Sequence, residues 1–295
     1  MALQNNELAD ESDLFVYSDG PKNKMELDKV NEVRNYIKTI KGFNKITIVE
    51  HENNRGLAAT IIDGVTKIVN NYGKIIVLED DMVTSPFFLR FINDSLVIYE
   101  NEKEVGMIHG HIYNIPKLPE LFFMYKAGCL GWGTWSDRWN GISFDGKKLL
   151  AEIKRRKLIR KFDVNGSFPY TKMLKDQIKG KNNSWAIRLY ASFLLNGKLT
   201  FYPGESFVQH IGYDVGTHCG NASCPSDMDG FITKKRVEAK KIEILDSKDA
   251  LLKLEQFYNS RRIPLIMHII LKLKRETRKM LRIFKKAKDY SGERP

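Results

Sequence analysis

Over the first 110 residues, four short apolar runs alternate with three stretches of helical period. The runs are "DLFVYSD" (13–19), "KITIVE" (45–50), "KIIVL" (74–78) and "VGMIHG" (105–110). Between them, 25–40, 57–72 and 85–101 repeat apolar residues at three- and four-residue spacing. Such alternation constrains the chain to an α/β domain whose sheet is mostly parallel, flanked by helices. In the third helix Ser85 is expected at the N-cap and Pro86 at the first helical position. "NNRG" (53–56) is either a plain turn or a means of aiming a helix N-terminus at an anion.

The third run ends in three adjacent acids, Glu79, Asp80 and Asp81. Adjacent carboxylates repel one another and are costly to desolvate. Ligands of open α/β sheets bind at the C-terminal ends of the strands, and Asp19 ends the first run in the same way. A hard divalent cation takes oxygen ligands and offsets clustered charge, and one that also touches phosphates suits a diphosphate substrate. The plainer reading is a solvated acidic loop near a helix N-terminus, which accounts for Asp81 but not for all three.

With 295 residues, 42% hydrophobic and 28% charged, the chain is long enough for a sizeable core. Three cysteines, Cys129, Cys219 and Cys224, suit reduced thiols in a cytosol rather than a disulfide scaffold. His218 lies beside Cys219, but no second pair stands at zinc spacing. The net charge is +12, and residues 261–288 hold eleven basic residues against Glu276 alone. The remainder therefore averages only +2, too little for a nucleic-acid surface across the body.

The second half is less regular. "GCLGWGTWSDRW" (128–139) is rich in Gly and Trp, "NNSWAIRLYASFLLNG" (182–197) reads as a helix, and 198–220 as strand and loop.

"VLEDDMVTSPFFLRFI", "FVYSDG" and "FFMYKAGCLGWGTW", followed by "SDRW", resemble in order and spacing the N-acetylglucosaminyltransferase I family over about residues 13–140. Bacterial sugar transferases of that group are similar through "SWAIR…GTHCG" as well. The resemblance implies a GT-A nucleotide-diphospho-sugar transferase fold over 1–245, with a helical basic extension at 246–295. It implies that Asp81 ligates Mn²⁺ (or Mg²⁺), that Glu79 and Asp80 contact donor sugar and ribose, and that Asp19 contacts uracil. Gly131 and Trp132 would line the cleft, although core filling explains the tryptophans equally well.

The implied reaction is inverting transfer from a nucleotide sugar, a UDP-sugar in the family, to a glycan or lipid-linked acceptor. The setting would be bacterial surface polysaccharide synthesis in the cytoplasm or at the inner face of the membrane. The family's base lies in a Trp-Asp-Asp-Trp loop, whereas "NNSWAIR" carries no carboxylate. Asp176, Asp137 and Asp214 are the candidates, with Asp176 preferred, and His210 and His218 are candidates for a metal shell. A catalytically weak remnant that only binds sugar or nucleotide is the alternative.

Two further expectations concern the ends. Residues 264–288 have apolar residues at helical spacing among Lys and Arg, which suits an anionic membrane surface or a helix packed on the body. The first strand here matches the family's second, so a strand–helix unit is expected to be missing before it. Phe15 and Tyr17 should then lie near an unpaired sheet edge.

Overall fold

A computed structural model describes residues 2–212 and 232–261. The expectations on Asp214, His218, Cys219, Cys224 and the 264–288 segment lie outside these residues. Compactness divides the chain into units 1–255 and 256–295. Asp246 bridges to Phe123, and Ala250 and Leu254 are buried, which holds this stretch in the first unit.

The elements are β1 (Asp13–Ser18), α1 (Leu27–Ile37), β2 (Lys45–Glu50), α2 (Leu57–Tyr72), β3 (Lys74–Val77) and β4 (Met82–Thr84). There follow α3 (Phe88–Ile98), β5 (Val105–His109), β6 (Leu121–Met124), β7 (Trp132–Trp135) and α4 (Ser136–Trp139). The last are α5 (Gly146–Arg155), α6 (Ile159–Phe162), α7 (Tyr170–Ile178), α8 (Trp185–Leu195), β8 (Leu199–Pro203), β9 (Val208–His210) and α9 (Lys248–Ser260). The class is α/β, a mixed sheet flanked by helices.

β1 and β2 pair in parallel, and a five-stranded sheet runs β3-β7-β5-β8-β6. The pairing is less parallel than expected. β7 runs antiparallel to both β3 and β5, and β6 is antiparallel to β8, which leaves β5–β8 as the parallel pair of this sheet. The cause is the Gly-Trp segment, whose WGTW residues are a buried strand inserted between β3 and β5. Among the described residues, β1 pairs with β2 alone and β3 with β7 alone. Phe15 and Tyr17 turn toward α2. The Phe15 ring meets Tyr72 edge-on at 5.5 Å, and Tyr17 lies against Gly64, where a Cβ would come within 3.3 Å of its ring.

Ser85 does not cap α3, which starts three residues later after Phe87. Residues Met82–Thr84 pair with β9, and the residue before a proline prefers extended backbone, so the chain stays extended to Ser85. One core cluster packs α2, α5, α7 and α8 around Trp132, Trp139, Trp185, Phe162 and Tyr190. The other packs α3, β5 and β8 around Phe88, Phe91, Tyr99, Phe201 and Phe207.

A buried arginine ties the loop after α3 to the sheet. Arg138 donates to the carbonyls of Tyr99, Glu100, Glu102 and Val105 at 2.6–3.3 Å. Its guanidinium pairs with Asp137 and lies 4.2 Å from the centre of the Trp135 ring. Among the described residues no helix is long and apolar enough to cross a membrane.

Candidate functional site

The three acids occupy the turn between β3 and β4. The β4–β9 ladder opposes Met82 to His210, and the Ile211 N–H donates to the Asp81 carbonyl at 2.8 Å. That register sets His210 Nε2 2.8 Å from Asp81 Oδ2. The other oxygen, Asp81 Oδ1, is buried and has no hydrogen-bond partner among the described residues. A buried carboxylate oxygen left without a donor is costly unless a cation or a ligand meets it.

Glu79 stands beside them, partly buried. Burial raises its carboxyl to about 7, with help from the charges of Asp81 and Asp80, and a hydrogen bond from the Trp185 indole opposes the rise. Trp185 opens α8, whose N-cap Ser184 accepts from the Ile187 N–H. The "NNSWAIR" segment thus reaches the acidic turn through its tryptophan. Asp80 is exposed.

One further group, Cys129, borders the turn, and Lys126 lies behind it. Burial, with the Glu79 charge behind it, pushes the Cys129 thiol up to about 12, so it stays protonated and unreactive. Lys126 is partly exposed as a residue, yet burial around its ammonium lowers it to about 8. The unfolded chain therefore holds this proton more tightly than the folded one. The resulting penalty on stability is fully present below about pH 8 and fades as pH rises from about 8 toward the ordinary lysine range. Lys126→Met is expected to raise stability at pH 7 by about 1–3 kcal/mol and to flatten its pH dependence above pH 8. Urea unfolding at pH 7 and pH 9 checks both.

The orphaned Asp81 Oδ1 and the Asp81–His210 pair fit a hard divalent cation. Among the described residues no group of three His, Cys, Asp and Glu side chains could hold a metal by itself. The fit is therefore a two-residue one, of the kind in which water and substrate phosphates fill the remaining positions.

Gly212 fixes how closely the chain crosses this site. A Cβ there would lie 2.4 Å from Asp81 Oδ2. Gly212→Ala is expected to displace the carboxylate and weaken Mn²⁺ binding roughly 10–100-fold, with little change in melting temperature. A Mn²⁺ titration beside a thermal melt checks this.

The remaining expected residues lie elsewhere or act differently. Trp132 is fully buried, stacked on Trp139 at 5.8 Å and tilted against Trp185 at 5.6 Å. It fills the core and offers no face to a sugar. Gly131 adopts φ +63°, and a Cβ there would come within 2.6 Å of Val208 Cγ2, so it serves the close approach of β7 and β9.

Asp19 accepts from the N–H groups of Gly20, Arg55 and Gly56 at 2.8–2.9 Å. Burial pushes its carboxyl up, but these three donors and His51 outweigh it and hold it below the usual range. Since Gly56 is the N-cap of α2 and has no side chain, Asp19 is itself the anion at that helix start. Asp176 lies on α7 in ion pairs with Lys172 and Lys181. The Lys172 hydrogen bond chiefly holds it below the usual range, which makes it a weak base. Asp137 is tied to Lys103 and Arg138 in the same manner.

His210 was visible in the sequence only as a lone histidine. Trp185 and Cys129 carried no signal that placed them here. No protein-family model matches the chain, and no curated protein matches it.

Proposed function

We propose that this chain is a metal-dependent nucleotide-sugar glycosyltransferase of the GT-A type, acting in the cytoplasm on a glycan or lipid-linked acceptor. One observation carries the reading: in the turn after β3, a buried carboxylate oxygen of Asp81 without a partner among the described residues, with His210 on the other oxygen. The resemblance of the EDD, SDG and GWGTW segments to the N-acetylglucosaminyltransferase I family supports it.

Asp81 and His210 would hold Mn²⁺ or Mg²⁺, which supplies positive charge to the departing diphosphate. Glu79 and Asp80 stand next to that point and present oxygens to donor hydroxyls. The Trp185 indole beside Glu79 favours its ionised form. Asp19 anchors the start of α2 rather than waiting as a free carboxylate, so any contact it makes to a base comes from a fixed position.

The experiment is a screen of nucleotide sugars for release of nucleoside diphosphate, with and without Mn²⁺. Metal-dependent release supports the reading. Binding of a nucleotide sugar without turnover would favour the non-catalytic remnant, and neither binding nor release would end the proposal.

A further inference from the structure

Averaged over the body, the charge outside 261–288 is small, but it is not evenly spread. Residues 147–181 carry twelve Lys or Arg against three acids, a net +9. This is the segment of α5, α6 and α7, whose inward residues Leu149, Ile153, Phe162 and Leu174 are buried in the core cluster that includes α8.

The acids of the segment are already engaged. Glu152 is held by Arg155 and Arg156, Asp176 by Lys172 and Lys181, and Asp163 accepts from the Thr171 N–H. Lys147, Lys154, Lys157, Arg160, Lys175 and Lys179 are exposed and form no ion pair among the described residues. Lys147 and Lys154 lie seven residues apart on one stripe of α5, and Lys172, Lys175 and Lys179 follow one stripe of α7 and its end. Between Lys157 and Arg160 the chain presents Ile159, 40% exposed, beside half-buried Leu158.

We propose that the outward surface of α5, α6 and α7 docks on an anionic lipid bilayer. Six uncompensated cations meet the headgroup charge, and Ile159 enters the boundary between headgroups and acyl chains. A nucleic acid is the poorer match. The aromatics of the segment, Phe162, Phe168 and Tyr170, are all buried or half-buried, so none is exposed for stacking on bases. The proposal does not depend on the reaction assigned above, and either can fail alone.

The test is sedimentation of the full chain with vesicles of phosphatidylcholine, alone or mixed with phosphatidylglycerol, at rising salt. Binding is expected to the mixed vesicles only and to fall with salt. The triple variant Lys154→Gln, Lys157→Asn, Arg160→Gln is expected to bind roughly 100-fold more weakly, at roughly fivefold per basic residue. Asn is chosen at 157 because Lys157 has φ +57°, a conformation Asn tolerates. Ile159→Ser keeps every charge and is expected to weaken binding several-fold. Its circular dichroism and that of the triple variant should match the parent.

Lys272→Gln, Lys274→Gln, Arg275→Gln is the comparator in the second basic segment. If that variant loses binding while the 154/157/160 variant keeps it, the proposal is overturned. Equal binding to neutral vesicles, or preference for a single-stranded oligonucleotide over mixed vesicles at physiological salt, overturns it as well.

Discussion

Asp81→Ala is expected to lower Mn²⁺-dependent release of nucleoside diphosphate by at least about 100-fold, the scale of removing one charge-stabilising group from a reacting centre. The residue combines the partner of His210 with the unpartnered buried oxygen, so its loss removes the main carboxylate that could face a cation. The fold should survive, because Asp81 lies in a turn and its own backbone carbonyl still accepts from Ile211. Mn²⁺ affinity, followed by the electron paramagnetic resonance of the free ion, should fall in parallel. His210→Ala should give a smaller loss of the same kind. Unchanged Mn²⁺ affinity in Asp81→Ala would remove the metal from this site, whatever the activity.

Arg138→Ala is expected to be the most damaging single change to stability, costing about 3–5 kcal/mol. The guanidinium is almost fully buried and donates to four carbonyls at the end of α3 and the start of β5. Removing it leaves those carbonyls short of donors in a dry place, strips a cation from the Trp135 ring, and frees Asp137 to pair with Lys103 alone. Arg138→Lys should recover only part of the loss, since one ammonium cannot span the same set of carbonyls. Denaturant unfolding of the three proteins orders them. A cost below 1 kcal/mol for alanine would show that water replaces the guanidinium.

The front half of the fold was legible because its signals are local. Strands and helices up to β5, β4 excepted, follow from period, apolar runs and turn residues within each stretch. The acidic turn was legible for the same reason, three charges abutting an apolar run. What escaped depends on pairing between distant residues. WGTW holds two tryptophans, one of them between glycines, and reads as a loop until β3 and β5 close on it from both sides. His210 reaches Asp81 only through the β4–β9 register, which joins segments well over a hundred residues apart. Asp19 looked like a free ligand because nothing in its neighbourhood shows that Arg55 and Gly56 fold back to it. The basic run KRRKLIRK at 154–161 was legible as a run, but the weight of the wider patch was not, since +9 vanishes in an average taken over a body with acidic stretches elsewhere.

The strand order has a consequence for how the chain is made. β5 and β6 leave the ribosome early but do not pair with each other, because β8 lies between them. Phe123 on β6 waits for Phe201, its ring neighbour at 5.1 Å. From Met124 to Leu199 is about 75 residues, on the order of 4–15 s of synthesis at 5–20 residues per second. For that interval two apolar strands sit on either side of an empty interior lane of their sheet. A nascent chain in this condition is a natural client for a holdase that covers aromatic strands, and ribosome stalling between residues 130 and 198 should leave it far more open to protease than stalling once β8 has emerged.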